Sequence, residues 1–188
     1  MTEPTLCNEC SKIHKPGVCP KDAENNIQKN LGELTGIELT SEQEEAAQEI
    51  MSLLEAGKPD LAGLKRDSAN MPAEFFNSDI LKSIIKKTLI YNFSEGYGHV
   101  SEDILDRFEL PVVDLMEALK EGVIGSLNNG LIENAVNLKK NYNIGDDIIY
   151  SSEVQLAVKE GINYLLTVEH LALDSWQIAL LKNEFGVE

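Results

Sequence analysis

Apolar residues in the C-terminal part of the chain recur at the spacing of an α-helix, and this pattern restricts the fold more than any other feature. The clearest face extends over four turns. It consists of Phe76, Ile80, Leu81, Ile84, Ile85, Thr88 and Leu89. Alternating strand patterns are scarce, and only Ile144–Tyr150 also fits a short strand. The sequence therefore predicts an all-α domain of five or six helices over residues 71–188.

Cap and turn signals place the ends of these helices. Gly122 and Gly125 are predicted to end the helix that begins at Pro111, because glycine is a weak helix former. Asn128-Asn129-Gly130 predicts a turn, although residues 127–138 also fit one continuous helix. Asp174 is the predicted N-cap of the last helix.

Residues 23–70 are polar and acidic, and several glycines interrupt them. They are predicted to form a connector that contains one amphipathic helix at about residues 41–56. Ser41-x-x-Glu44 fits a capping box at its start. Its apolar stripe is narrow and consists of Ala47, Ile50, Met51 and Leu54. We therefore expect this helix to dock weakly or to fold on a partner.

All three cysteines of the chain lie within its first 19 residues, together with a histidine. Cys7, Cys10, His14 and Cys19 have the spacing C-x2-C-x3-H-x4-C, which suits tetrahedral Zn²⁺. We predict one structural zinc ion in a module of residues 1–22, because four protein ligands leave no open position for catalysis. Two alternatives are a chance cluster of reduced cysteines and a redox Cys7-x-x-Cys10 pair.

The segment Cys7–Cys19 resembles a CCHC zinc knuckle, the module of retroviral nucleocapsid and many RNA-binding proteins. The usual spacing is C-x2-C-x4-H-x4-C, and this chain has one residue fewer before the histidine. The resemblance implies binding to single-stranded nucleic acid. Lys12, Lys15 and Lys21 are available for phosphates, but no aromatic residue precedes Phe75 to stack on a base. Contact with a protein is therefore at least as well supported.

The chain carries 32 acidic and 16 basic residues, for a net charge of −16. Such a surface repels phosphate backbones and anionic lipids. The sequence begins without an apolar leader, and no apolar run approaches the length of about 18 residues that a transmembrane helix needs. We therefore expect a cytoplasmic protein that does not bind membranes.

Residues 102–108 and 111–121 resemble a helix-turn-helix. The turn position usually held by glycine is Glu109, and the small residue of the first helix is replaced by Leu105. The second helix is too acidic for recognition of DNA bases, since it carries Asp114, Glu117 and Glu121. Two packed helices of an ordinary bundle are the favoured interpretation.

No catalytic residue, cofactor-binding motif or small-molecule substrate is predicted from the sequence. We expect a non-enzymatic, zinc-containing adaptor that binds a protein partner, within a larger assembly. The acidic helices at about residues 101–121 and 41–56 are the predicted partner surface. Two alternatives are a protein that contacts single-stranded RNA or DNA through the knuckle, and an acidic DNA mimic that occupies a DNA-binding protein.

Overall fold

The computed structural model describes residues 5–6, 13–14, 31, 35–167, 169 and 175–187. Within these residues it contains ten helices and one antiparallel pair of short strands. The strands are β1 (Thr5–Leu6) and β2 (Ile13–His14). The helices are α1 (Ser41–Glu55), α2 (Pro59–Ser68), α3 (Ala73–Phe76), α4 (Asp79–Glu95), α5 (Gly98–Arg107), α6 (Val112–Asn128), α7 (Ile132–Asn141), α8 (Asp146–Ile149), α9 (Ser152–Thr167) and α10 (Trp176–Phe185).

The all-α prediction is confirmed for residues 35–187 as far as the structure describes them. Six described helices after residue 71 have ten residues or more, which agrees with the predicted five or six. The one-turn helix α8 was not predicted, and the predicted face from Phe76 to Leu89 is divided between the one-turn helix α3, which ends at Phe76, and α4, which begins at Asp79. The strand alternative for Ile144–Tyr150 is wrong, because this segment contains α8.

Helices α4 and α6 form the centre of the fold and share its most extensive helix contact. Helices α1, α3 and α5 pack on α4, α2 packs on α1 and α5, and α7 and α9 pack on α6. Helix α10 joins α9 to α7. One hydrophobic cluster runs through all these elements, from Leu31 to Phe185. The two helices of the predicted helix-turn-helix, α5 and α6, both pack mainly on α4.

Helix α1 begins at Ser41, which agrees with the predicted range, but its N-cap lies one residue before the predicted cap Ser41. Its N-cap is Thr40, whose Oγ1 accepts a hydrogen bond from Gln43 N, while Gln43 Oε1 accepts one from Thr40 N. Ile50 and Leu54 on this helix are fully buried in the core. The expected weak docking of this helix is therefore wrong. A second helix, α2, also lies in the predicted connector, whose boundaries stay predictions.

Gly122 and Gly125 do not end a helix, because α6 continues through both to Asn128. A Cβ at Gly122 would overlap Phe93 of α4, and one at Gly125 would overlap the Ser94 side chain. Their small size lets the two central helices approach closely. This correction reflects packing, which outweighs the low helix propensity of glycine.

The turn at residues 128–130 forms as predicted, with Gly130 in the left-handed region at φ 73°. The alternative of one helix through residues 127–138 is wrong. The N-cap of α10 is Ser175, and the predicted cap Asp174 lies outside the described residues. Gly186 ends the same helix with φ 66°.

Side chains from α6, its following turn and α7 bind the free carbonyl groups at the C-terminal end of α4. Phe93 O accepts hydrogen bonds from Ser126 Oγ at 2.9 Å and from Asn134 Nδ2 at 2.5 Å. Asn134 Nδ2 also donates to Ser126 Oγ, and Asn129 Nδ2 donates to Ser94 O. Carbonyls in the last turn of a helix have no partner within that helix. These contacts therefore fix the end of α4 against the α6–α7 pair.

Candidate binding groove

The predicted zinc ligands lie mostly outside the described residues. His14 belongs to β2, where it pairs with Thr5 of β1, while Cys7, Cys10 and Cys19 are not among the described positions. The zinc site therefore stays a prediction. Elsewhere, within the described ranges, no three His, Cys, Asp or Glu side chains lie close enough to hold a metal ion.

A groove of about 640 Å³ lies between the end of α1, the second half of α4 and the start of α5. We call it the tyrosine groove. Its volume lies within the range of about 300 to 1,000 Å³ that is typical of ligand sites. The lining residues are Glu55, Ala56, Gly57, Lys87, Thr88, Tyr91, Asn92, Tyr97 and Val100.

Two backbone turns and one helix face create this groove. Gly57 ends α1 in the left-handed region at φ 66°, a conformation that favours glycine. On α4, Thr88, Tyr91 and Asn92 are spaced three and four residues apart and so share one face. Gly96 then turns the chain at φ 80°, and Tyr97 N donates to Asn92 O at 2.8 Å. Tyr97 is thereby held beside the end of α4.

Two exposed tyrosine rings form one side of the groove. Tyr91 is 60% exposed and Tyr97 is 45% exposed. Their ring centroids lie 6.4 Å apart, and the ring planes form an angle of 49°. The rings therefore make an open wedge whose faces remain available to a ligand. Tyrosine is enriched at protein interfaces because it joins a large apolar ring to a polar tip.

Buried polar side chains form another part of the wall. Thr88 is 7% exposed and Asn92 is 3% exposed. The Nδ2 atom of Asn92 is buried and has no acceptor among the described residues. On the adjoining helix α5, Ser101 Oγ is likewise buried with no described partner. A buried donor without an acceptor costs about 1–3 kcal/mol, so an acceptor brought by a ligand would be favourable here.

The helices that line the groove carry a net negative charge. The lining itself contains one negative and one positive side chain, Glu55 and Lys87, and both are exposed. The three helices that line the groove, α1, α4 and α5, carry ten acidic and four basic residues, a net charge of −6. This field attracts cations and repels anions.

The fold itself uses part of the acidic surface predicted to bind a partner. Lys86 pairs with Glu117 and lies 3.6 Å from Asp114, so it joins α4 to α6. A hydrogen bond with Glu117 is the main cause of the raised pKa of Lys86. On α1, Glu49 pairs with Lys65 at 2.5 Å. These carboxylates stabilise helix contacts and are less available to a partner.

Other carboxylates near α6 lack an ion pair within the described part of the chain and keep their charge exposed. They are Glu102, Asp106, Glu109 and Glu121. Val112 and Val113 lie in the same region and are 73% and 78% exposed.

A second ion-pair cluster joins α7 to α10. Glu184 Oε1 lies 2.6 Å from Lys140 Nζ, and Glu184 Oε2 lies 3.3 Å from Lys139 Nζ. The hydrogen bond from Lys140 is the main reason that the pKa of Glu184 is lowered. Burial is the main cause of the raised pKa of Tyr142, which packs edge-on against Phe93. These shifts therefore follow from contacts that support the fold.

The chain has no match among protein-family models, curated proteins or solved structures. Among the residues that the structure describes, no helix combines the length and apolar character needed to cross a bilayer. Sequence reasoning did not find the tyrosine groove. The local sequence signal for it is Gly96-Tyr97-Gly98, where two glycines flank an aromatic residue.

Proposed function

We propose that this chain is a non-enzymatic, zinc-containing adaptor that binds another protein through the tyrosine groove. The observation that carries the proposal is the pair of exposed tyrosines beside the buried, unpartnered amide of Asn92. Exposed aromatic rings supply contact area, and the amide supplies a fixed donor for a main-chain carbonyl. Together they suit an extended peptide segment.

The zinc part of the proposal is supported by the ligand types and their spacing. Cys7, Cys10, His14 and Cys19 provide three thiolates and one imidazole within 13 positions. So short a segment has no core of its own, so the metal supplies most of its folding free energy, about 10 kcal/mol or more. In this proposal the zinc module presents a small second contact surface beside the helical body.

Metal analysis tests the zinc site directly. Protein purified without added metal should contain about one equivalent of zinc, and Cys10→Ser should lose most of it. Removal of the metal by a chelator should also raise the number of reactive thiols. A zinc content below about half an equivalent, with no change in thiol reactivity after chelation, would contradict the site.

Affinity capture from the native cell tests the adaptor function when it is done with matched variants of the full chain. One variant carries Tyr91→Ser and Tyr97→Ser in the groove, and the control carries Tyr164→Ser on α9, which is 44% exposed. A partner of this groove should be recovered by the unaltered chain and by the control, but not by the groove variant. Recovery of the same proteins by all three chains would contradict a role for the groove.

Binding to nucleic acid is the alternative that the three lysines of the knuckle favour. A salt titration with a short single-stranded RNA or DNA separates it from the adaptor function. Tight binding at low salt that weakens steeply as salt rises, and that Cys10→Ser abolishes, would contradict an adaptor that binds only proteins.

A further inference from the structure

We infer that the tyrosine groove accepts a basic segment of a partner protein, with an arginine side chain over the rings of Tyr91 and Tyr97. This inference rests on the proposed protein-binding function and adds the chemistry of the partner. It follows from three features of the groove, which are the geometry of the two rings, the sign of the surrounding charge and the buried amide donor.

The ring geometry suits a single cation. Cation–π attraction extends to about 6 Å from a ring centroid. Because the centroids of Tyr91 and Tyr97 lie 6.4 Å apart, one cation can be within that distance of both. The tilt of 49° leaves the wedge open at one side, where a planar guanidinium can lie against a ring face.

The charge around the groove selects a cation over an anion. The three lining helices have a net charge of −6, within a chain of net charge −16. Within the lining, the positive charge of Lys87 is balanced by the negative charge of Glu55. A phosphate or an acidic peptide would meet repulsion from the whole domain, whereas a basic segment is drawn toward it.

The amide of Asn92 indicates a peptide in preference to a free cation. Its Nδ2 atom is a donor, and it has no acceptor among the described residues. A main-chain carbonyl of a bound peptide is an acceptor, whereas an isolated ammonium or guanidinium group has only donors. In this inference the Asn92 side chain turns its buried amide toward the groove to donate to that carbonyl, while the two rings hold the arginine side chain.

Fluorescence anisotropy with the full chain and a short labelled peptide tests this inference. The probe alternates arginine with alanine, and a matched peptide replaces each arginine with citrulline, which keeps the shape and removes the charge. Tyr91→Ala and Tyr97→Ala should each weaken binding of the arginine peptide by about fivefold or more. Tyr91→Phe, which keeps the ring, should bind within about twofold of the unaltered chain.

These variants leave the net charge unchanged, so general attraction between an acidic protein and a basic peptide is the same in each. Tyr164→Ala on α9 is the matched control, and it should bind like the unaltered chain. Circular dichroism of every variant checks that its helices are intact.

Three results overturn the inference. Binding of the arginine peptide that is absent, or that is equal in the groove variants and the unaltered chain, excludes recognition at this site. Equal affinity for the citrulline peptide excludes a cationic partner. After any of these results, the proposed function still holds if affinity capture recovers a partner that depends on the groove. If capture does not depend on the groove, both the inference and the proposed function are refuted.

Discussion

Replacing Gly122 with alanine tests whether close approach of α4 and α6 determines the stability of this fold. Gly122 is buried in the middle of α6. A Cβ placed there lies 3.2 Å from Phe93 Cγ and 3.3 Å from Phe93 Cδ2, and it overlaps Phe93 Cβ. Because that Cβ is bonded to the backbone of α4, rotation of the side chain cannot relieve the overlap. The two helices must therefore move apart.

Two opposing effects set the magnitude. Alanine in place of glycine in a helix interior stabilises by about 1 kcal/mol. Overpacking of a tightly packed core destabilises by about 1–3 kcal/mol, and the upper end applies here because the clash involves backbone-attached atoms on both sides. The expected net loss is about 2 kcal/mol, which lowers the melting temperature by about 4–8 °C for a chain of this size.

The assay is thermal and urea unfolding followed by far-UV circular dichroism, with zinc present throughout. Gly161→Ala in α9 is the matched control, because this glycine is also buried within a helix. Its added Cβ would meet only Leu127 O, at an ordinary contact distance of 3.7 Å. The control keeps the propensity gain without the overlap, so it should raise stability by up to about 1 kcal/mol.

The reasoning fails if Gly122→Ala is as stable as the unaltered chain, or if the two alanine variants change stability by the same amount. Either result would show that α4 and α6 are not packed as closely as the overlap with Phe93 requires.

Three further changes have effects that unfolding experiments can measure. Ser126→Ala removes a buried hydrogen bond to Phe93 O, which keeps its bond from Asn134, and should destabilise by about 0.5–1.5 kcal/mol in urea unfolding. Thr40→Ala removes the side-chain cap of α1 and should destabilise by about 1 kcal/mol in the same assay. Since the folded-state pKa of Glu184 is lowered, its ionised form stabilises the fold above the unfolded pKa of about 4.3, and this contribution is lost as pH falls through the folded value. Glu184→Gln should therefore reduce the loss of stability between about pH 6 and about pH 3, measured as urea midpoints.

Matched variants determine whether these three arguments hold. Ser83→Ala changes an exposed residue of α4 and should alter the free energy of unfolding by less than about 0.5 kcal/mol. If Ser126→Ala loses no more stability than Ser83→Ala, the buried hydrogen bond does not contribute as argued. Ser41→Ala should destabilise the protein less than Thr40→Ala does. The reverse order would show that Ser41 is the N-cap, as predicted from sequence. An unchanged pH dependence in Glu184→Gln would show that its ion pairs do not contribute to acid sensitivity.

The long helices were predictable because their apolar residues repeat over several turns. The face from Ile80 to Leu89 identified α4, and its fully buried members include Leu81, Ile85 and Leu89. Phe76, predicted to continue this face, lies instead in α3. The short helix α8 was not predictable in the same way. Its four residues are too few for a helical period to be distinguished from a strand.

The corrections have local physical causes. Thr40-x-x-Gln43 and Ser41-x-x-Glu44 both fit a capping box, so sequence alone cannot choose between two starts that differ by one residue. Glycine is typical of a helix end, so Gly122 was predicted to end the helix. Its close packing against Phe93 explains why a glycine lies inside the helix instead. Trp176 has a large apolar ring that suits a core position, yet it is 57% exposed on the first turn of α10.

The tyrosine groove could not be predicted because three separate helices create it. Its lining residues come from the end of α1 and from residues 87–100, which lie about 30 or more positions further along the chain. The zinc site, in contrast, is predicted from residue type and short spacing alone, and it stays a prediction because three of its four ligands lie outside the described residues. The two candidate sites therefore differ in whether local sequence or tertiary packing creates them.

The hydrogen bonds at the end of α4 imply an order in which this protein forms. The first turn of α4 is capped locally, since Ser78 Oγ accepts a hydrogen bond from Leu81 N. Its last turn depends on Ser126 and Asn134, which lie 33 and 41 positions after Phe93. While the chain is being synthesised, the start of α4 can thus form early, and its end remains hydrated until α7 has emerged. Opening of the α6–α7 pair in the finished protein should likewise release the end of α4, so these segments should exchange their amide hydrogens as one cooperative unit.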